Sequence, residues 1–295
     1  MNFHARTDLA CEGIDEDRIG GAAQQVRREQ VGPFMLLEMT VPPSEAGETP
    51  PMAPGSYLTV ECGKLVMMGE EDEDLLIRLL AGKLRGMAQR LTGKPADASF
   101  GVFVAGLGNA EMTADAIGPK TVGYLTATRH LREHEQGLYR SIGCSALSLL
   151  APGVLGQTGM ETCELLKSVV ECIHPDVVIA VDALAARDCN RLASTVQLSD
   201  AGISPGSGVG NHRAALTRET LGVPVLALGV PTVVDSATLV YDALREAGIR
   251  EIGEPLTRVL ETGKHFFVSP KESDVITERV ARLLSSSIAA AFTGL

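Results

Sequence analysis

Asp182 closes an apolar run, residues 177–181, and is followed by the small helix-forming residues of "DALAAR". An isolated ionised carboxylate buried at such a place costs several kcal/mol or takes up a proton, so it demands a partner, a ligand or a reaction. Two more acids follow apolar runs: Asp115 in "GLGNAEMTADAIGP" and Asp235 in "PTVVDSAT". Ligands of open α/β sheets bind beyond the carboxyl ends of the strands, where loops and helix N-termini converge. Two carboxylates meeting there in different environments can divide acid and base roles, one holding a proton while the other activates water. The competing use of Asp at a strand-to-helix junction is helix capping, and spacing alone leaves both readings open.

The elements that must position these acids are short apolar runs at 101–107, 177–182, 195–198, 223–230 and 265–268, alternating with helical segments. Continuous Val/Ile/Leu runs between helices predict a mostly parallel sheet covered on both faces. Helix starts are predicted at Thr158-Gly-Met-Glu161 and at Ser269-Pro-Lys-Glu272, both with the spacing of a capping box. Leucines at helical spacing predict a helix over 72–91. Strands at 34–41 and 57–62, around a loop rich in Pro, Gly and Glu, predict an antiparallel edge or flap added to one α/β domain.

Competing chemistries leave weaker traces. Gly106-Leu-Gly108 lacks the third glycine of a dinucleotide fingerprint, since Glu111 takes its place. Gly206-Ser-Gly208-Val-Gly210 lacks the Lys-Ser/Thr ending of a phosphate loop and reads as a tight loop whose backbone amides face a substrate. "HLREH", His130 to His134, has the spacing of an inverted zinc-peptidase motif, but its charged neighbours suit a solvated helix face. The six cysteines show no CxxC pair and are read as reduced, buried and unreactive thiols. With 26 basic and 37 acidic residues the net charge is −11, which argues against direct nucleic-acid or anionic-membrane binding. No stretch reaches the roughly 18 apolar residues of a membrane span, and the first thirty residues carry no signal-peptide core, so a cytoplasmic protein is expected.

Taken together, "RTDLACE", "GLGNAEMTADAIGP", "TRHL", "SALSLLAPGVLGQTGMET", "VVIAVDALAAR", "QLSDAGISPGSGVGN" and "GVPTVVD" closely resemble the spore germination proteases, endopeptidases that degrade small acid-soluble spore proteins. The resemblance covers most of residues 100–240. It implies an atypical aspartic endopeptidase of the spore core, without cofactor or metal, assembled as a homotetramer. The implied fold is a three-layer α/β sandwich similar to the hydrogenase-maturation peptidases. The family's two essential acids fall on Asp115 and Asp182. The family is made as a zymogen that cuts itself, which places the cut between Asp8 and Leu9, with residues 1–8 as pro-segment and 9–295 as one peptidase domain. The same acidic-then-apolar bond is the one cut in substrates, and the acid before it asks for a positive pocket, assigned to Arg187 or Arg213. The alternative is a metal-dependent peptidase in which the same acids hold a divalent ion, as the related maturation peptidases suggest. Two departures stand out: a shortened region between Tyr241 and Ser269, and Ala114 where the family often has proline.

Overall fold

A computed structural model of the chain describes residues 7–12, 25–43, 52–206, 214–249, 252–262 and 266–294. Along these residues β1 (Gln25–Val31), β2 (Phe34–Val41) and β3 (Gly55–Glu61) form an antiparallel meander, and α1 (Glu70–Thr92) follows. Four acids, Glu70 to Glu73, fill the first turn of α1, where the helix dipole favours negative charge. Leu76, Leu80, Leu84 and Met87 recur on its buried face, and Gly93 ends it in a left-handed conformation.

The α/β part then runs β4 (Gly101–Gly106), α2 (Ile117–Tyr124), α3 (Arg129–His134), α4 (Gln136–Ile142), β5 (Ala146–Leu150), α5 (Leu155–Thr158), α6 (Thr162–Ile173) and β6 (Val177–Ala186). It closes with β7 (Thr195–Ser199), α7 (Arg218–Leu221), β8 (Val225–Asp235), α8 (Ser236–Glu246), α9 (Glu254–Thr262), β9 (Phe267–Val268) and α10 (Ser273–Phe292). Among the described residues the strands form one sheet in the order β1-β2-β3-β7-β8-β6-β4-β5, with β9 pairing the end of β8. No described helix is long and apolar enough to cross a membrane.

Alternation along the central strands explains their unbroken apolar text. Val102 and Val104 of β4 and Ile179 and Val181 of β6 pack with α1 and α10, whereas Phe103, Ala105, Val178 and Ala180 pack with Leu166 and Val170 of α6. A strand with cores on both sides needs apolar residues at every position. The result is a sheet between helical layers, as expected.

Several expectations fail in instructive ways. The sheet is mixed rather than mostly parallel: β5, β4, β6 and β8 are parallel, and β7, β3, β2, β1 and β9 join by antiparallel pairing. Strands 34–41 and 57–62 correspond to β2 and β3, which do lie in an antiparallel edge as expected and belong to that one sheet. Neither capping box forms. Thr158 ends α5, its hydroxyl accepting the Met160 N–H at 3.2 Å, and α6 starts after Glu161 without a side-chain cap. Residues 270–272 form a turn ahead of α10, whose N-cap Glu272 makes no side-chain cap bond. Asp182 does not end its strand. It pairs with Gly229 inside β6, which continues to Ala186 because β8 offers a partner as far as Val234. The pairing overrides the helical preference of Ala183 to Ala186.

Candidate active site

Asp115 is fixed by the chain that leaves β4. Gly108, at φ 106°, brings the loop so close that a Cβ there would lie 2.1 Å from the Asp115 carbonyl oxygen. The Asp115 carboxylate accepts the Asn109 N–H at 2.7 Å. Two hydroxyls from distant elements hold the preceding turn: Thr232 of β8 donates to the Ala114 carbonyl at 2.6 Å, and Thr277 of α10 donates to the Thr113 carbonyl at 2.9 Å. The first turn of α2 presses on both central strands, since a Cβ on Gly118 would meet the Leu107 and Val181 carbonyl oxygens at 2.3 and 2.4 Å.

This close approach carries Asp115 to the wall formed by Asp182. Asp182 is buried, and one of its carboxylate oxygens accepts the Ala183 N–H at 2.9 Å. Both acids line one cavity of about 450 Å³ together with Gly108, Gly206, Thr232 and Asp8. Asp235, the third acid at a strand end, takes the other role open to it: it caps α8, accepting the Ala237 N–H at 3.1 Å.

Asp8 reaches the cavity because residues 7–12 dock along the far end of β6. The Asp8 N–H donates to the Ala185 carbonyl at 2.9 Å, and the Ala185 N–H donates back to the Asp8 carboxylate at 2.9 Å. Gln197 on β7 donates through Nε2 to the Asp8 carbonyl at 2.9 Å and accepts the Ala10 N–H through Oε1 at 2.6 Å. Leu9 is buried against Leu184 and Ala186, and Ala10 against Met39 and Val41. The Glu12 carboxylate accepts the Arg187 and Asp188 N–H groups at 2.7 and 2.9 Å, takes the Thr7 hydroxyl, and lies 3.5 Å from Arg191 Nε. Burial pushes the neighbouring Cys11 thiol above its ordinary range, against the lowering influence of Arg191.

Other expected site residues fall differently. Gly206 is on the cavity wall; Gly208, Gly210 and Arg213 lie outside the described residues, as do residues 1–6. Arg187 contributes its backbone N–H to Glu12, while its guanidinium opposes the upward push that burial exerts on Asp242. His130 and His134 are exposed on α3, and among the described residues no three His, Cys, Asp or Glu side chains form a group able to hold a metal ion. Cys172 and Cys189 are exposed, against the expectation of burial. Gln197 and Thr232 were not expected. Gln197 left a signal, as the one long polar side chain in the wholly buried strand "TVQLS".

A mixed α/β sheet with two carboxylates gathered over its central strands defines a candidate acid-base hydrolase. The germination protease family profile matches residues 15–248, and the chain belongs to that family. It is similar to the germination protease of Clostridium acetobutylicum, at 35% identity over 96% of this chain and 93% of the relative. That of Caldanaerobacter subterraneus is 37% identical, covering 96% and 92% of the two chains, and that of Priestia megaterium 37% identical, covering 90% and 74%. Family membership makes the chain a peptidase.

Proposed function

We propose that the chain is an atypical aspartic endopeptidase, made as a self-processing zymogen, that degrades small acid-soluble spore proteins in the spore core during germination. One observation carries the reading: Asp115 and Asp182 share a cavity with Asp8, the residue just before the expected cut. In this mechanism one carboxylate takes a proton from water as its oxygen adds to the peptide carbonyl carbon. The other, protonated, delivers its proton to the departing nitrogen.

The docked segment supplies a template for substrate. Its acidic side chain accepts the Ala185 N–H, and its Leu9 fills an apolar site. A substrate with an acidic residue followed by an apolar one would use the same contacts. Arg187, two residues beyond Ala185, adds positive charge to this end of β6, and Gly206 on the cavity wall adds to the surface a substrate would meet. Exposed Leu239, Val240, Val259, Phe266 and Val268 on and near α8, α9 and β9 support association of copies into a homotetramer.

The test is the pair Asp115→Asn and Asp182→Asn, each keeping the shape of the side chain while removing its proton chemistry. Both folded variants are expected to leave a small acid-soluble spore protein intact. Turnover by either one refutes the assignment. Loss of wild-type activity on exhaustive chelation, with restoration only by added metal, would favour the metal-dependent alternative instead.

A further inference from the structure

Gln197 holds the peptide groups on both sides of Leu9. Its Nε2 donates to the carbonyl oxygen of Asp8, in the Asp8–Leu9 linkage, and its Oε1 accepts the N–H of Ala10, in the next linkage, so a single side-chain amide brackets Leu9. The sheet register explains how. Gln197 on β7 pairs with Gly229 on β8, and Gly229 pairs with Asp182 on β6. Residues directly opposite one another across a sheet project from the same face, so Gln197 and Asp182 rise on either side of Gly229, which has no side chain. The Asp8–Leu9 peptide thus lies with its carbonyl held from the β7 side and its acidic side chain in the cavity lined by Asp182.

We propose that Gln197 is a catalytic residue of the self-cleavage, the donor that holds the negative charge developing on the Asp8 carbonyl oxygen. This rests on the reading that Asp115 and Asp182 cut the Asp8–Leu9 bond. In the step concerned, water oxygen bonds to the Asp8 carbonyl carbon, a water proton passes to a carboxylate, and the carbonyl π pair moves onto the oxygen facing Nε2. Collapse re-forms the carbonyl and breaks the bond to the Leu9 nitrogen, which takes a proton from the carboxyl partner. The donor stands at 2.9 Å, within the range of an oxyanion-hole contact, and its residue is buried, so water does not screen the interaction. The bond from Ala10 fixes the next peptide group, so the segment on the leaving side of the linkage stays seated during attack.

The experiment follows the full-length chain by intact mass and measures the first-order rate at which a species beginning at Leu9 forms. Gln197→Met keeps the length of the side chain without donor or acceptor, and Gln197→Glu removes the amide donor. Each is also placed in an Asp182→Asn background, where hydrogen exchange over residues 7–12 reports how much of the segment stays docked. The expected result is a rate reduced about 10²- to 10³-fold once corrected for the docked fraction. A corrected rate within threefold of wild type in both variants, whether because cleavage is unchanged or because it falls only as far as docking does, overturns the proposal. The parent reading has its own readout: a wild-type chain never cut at Leu9, or an Asp182→Asn chain that still cuts itself, removes that reading and this one with it.

Discussion

Replacing Glu12 with alanine should undock residues 7–12 from β6. The Glu12 side chain is 5% exposed and accepts two backbone N–H groups, at 2.7 Å from Arg187 and 2.9 Å from Asp188. Hydrogen bonds to a charged acceptor contribute about 1.5–3 kcal/mol each, which sets an upper range of about 3–6 kcal/mol. Truncation opens the site to water, which re-solvates the two donors, so the lower end applies, about 3 kcal/mol. Arg191 retains Glu61 at 2.9 Å, and a partly exposed ion pair of this kind adds little to the balance. At about 1.4 kcal/mol per tenfold, the docked-to-undocked ratio should fall about 100-fold. The measurement is amide exchange at Ala10, whose N–H is held by Gln197, in an Asp182→Asn background that, under the proposed self-cleavage, stays uncut. Exchange accelerated less than about threefold would show that Leu9 and Gln197 hold the segment without the carboxylate, and the reasoning fails.

Gly118→Ala places a methyl group 2.3–2.5 Å from backbone atoms of Leu107 and Val181, which have no rotamer to yield. A loss of at least about 1–3 kcal/mol in urea unfolding is expected, and an unchanged midpoint would refute the close packing of α2. Burial pushes the Cys62 thiol up to about 12, whereas Cys172 is exposed, so iodoacetamide at neutral pH should modify Cys172 well before Cys62; peptide mapping decides. Tyr124, then Lys120 and Arg282, hold the Glu278 carboxyl down to about 2. A lowered acid stabilises the fold above its unfolded value and loses that contribution as pH falls through the folded one. The difference in melting temperature between wild type and Glu278→Gln should therefore be full near neutrality and vanish towards pH 2; a difference independent of pH contradicts it.

The central strands were legible because two-sided burial writes an unbroken apolar run, and 34–41 matches β2 residue for residue. The same rule misled at β7, whose buried "TVQLS" is indistinguishable in text from a parallel strand although it pairs antiparallel with both neighbours. Asp182 was legible as an acid needing an explanation, but its place inside β6 was not, because that depends on where β8 ends. The capping box at Thr158 failed because its hydroxyl turns back on its own loop, a choice the four-residue pattern does not encode. Asp8 was singled out through family resemblance, yet its seat against Ala185 could not be read from sequence, since their hydrogen bond spans 177 positions.

That separation sets an order of events as the polypeptide is made. Residues 7–12 emerge first, but their contacts wait for β6 and β7: the bonds of Ala10 and Asp8 to Gln197 span 187 and 189 residues. The turn carrying Asp115 is fastened by Thr277, 164 residues beyond Thr113 and on the C-terminal helix. Closing such long loops is entropically costly until the intervening structure exists, so the segment and the turn carrying Asp115 lock late and together. A nascent or truncated chain lacking α10 therefore has the Asp8–Leu9 linkage without the Asp115 turn fastened beside it. Under the proposed self-cleavage, appearance of a Leu9 terminus would certify that synthesis and folding had both run to completion.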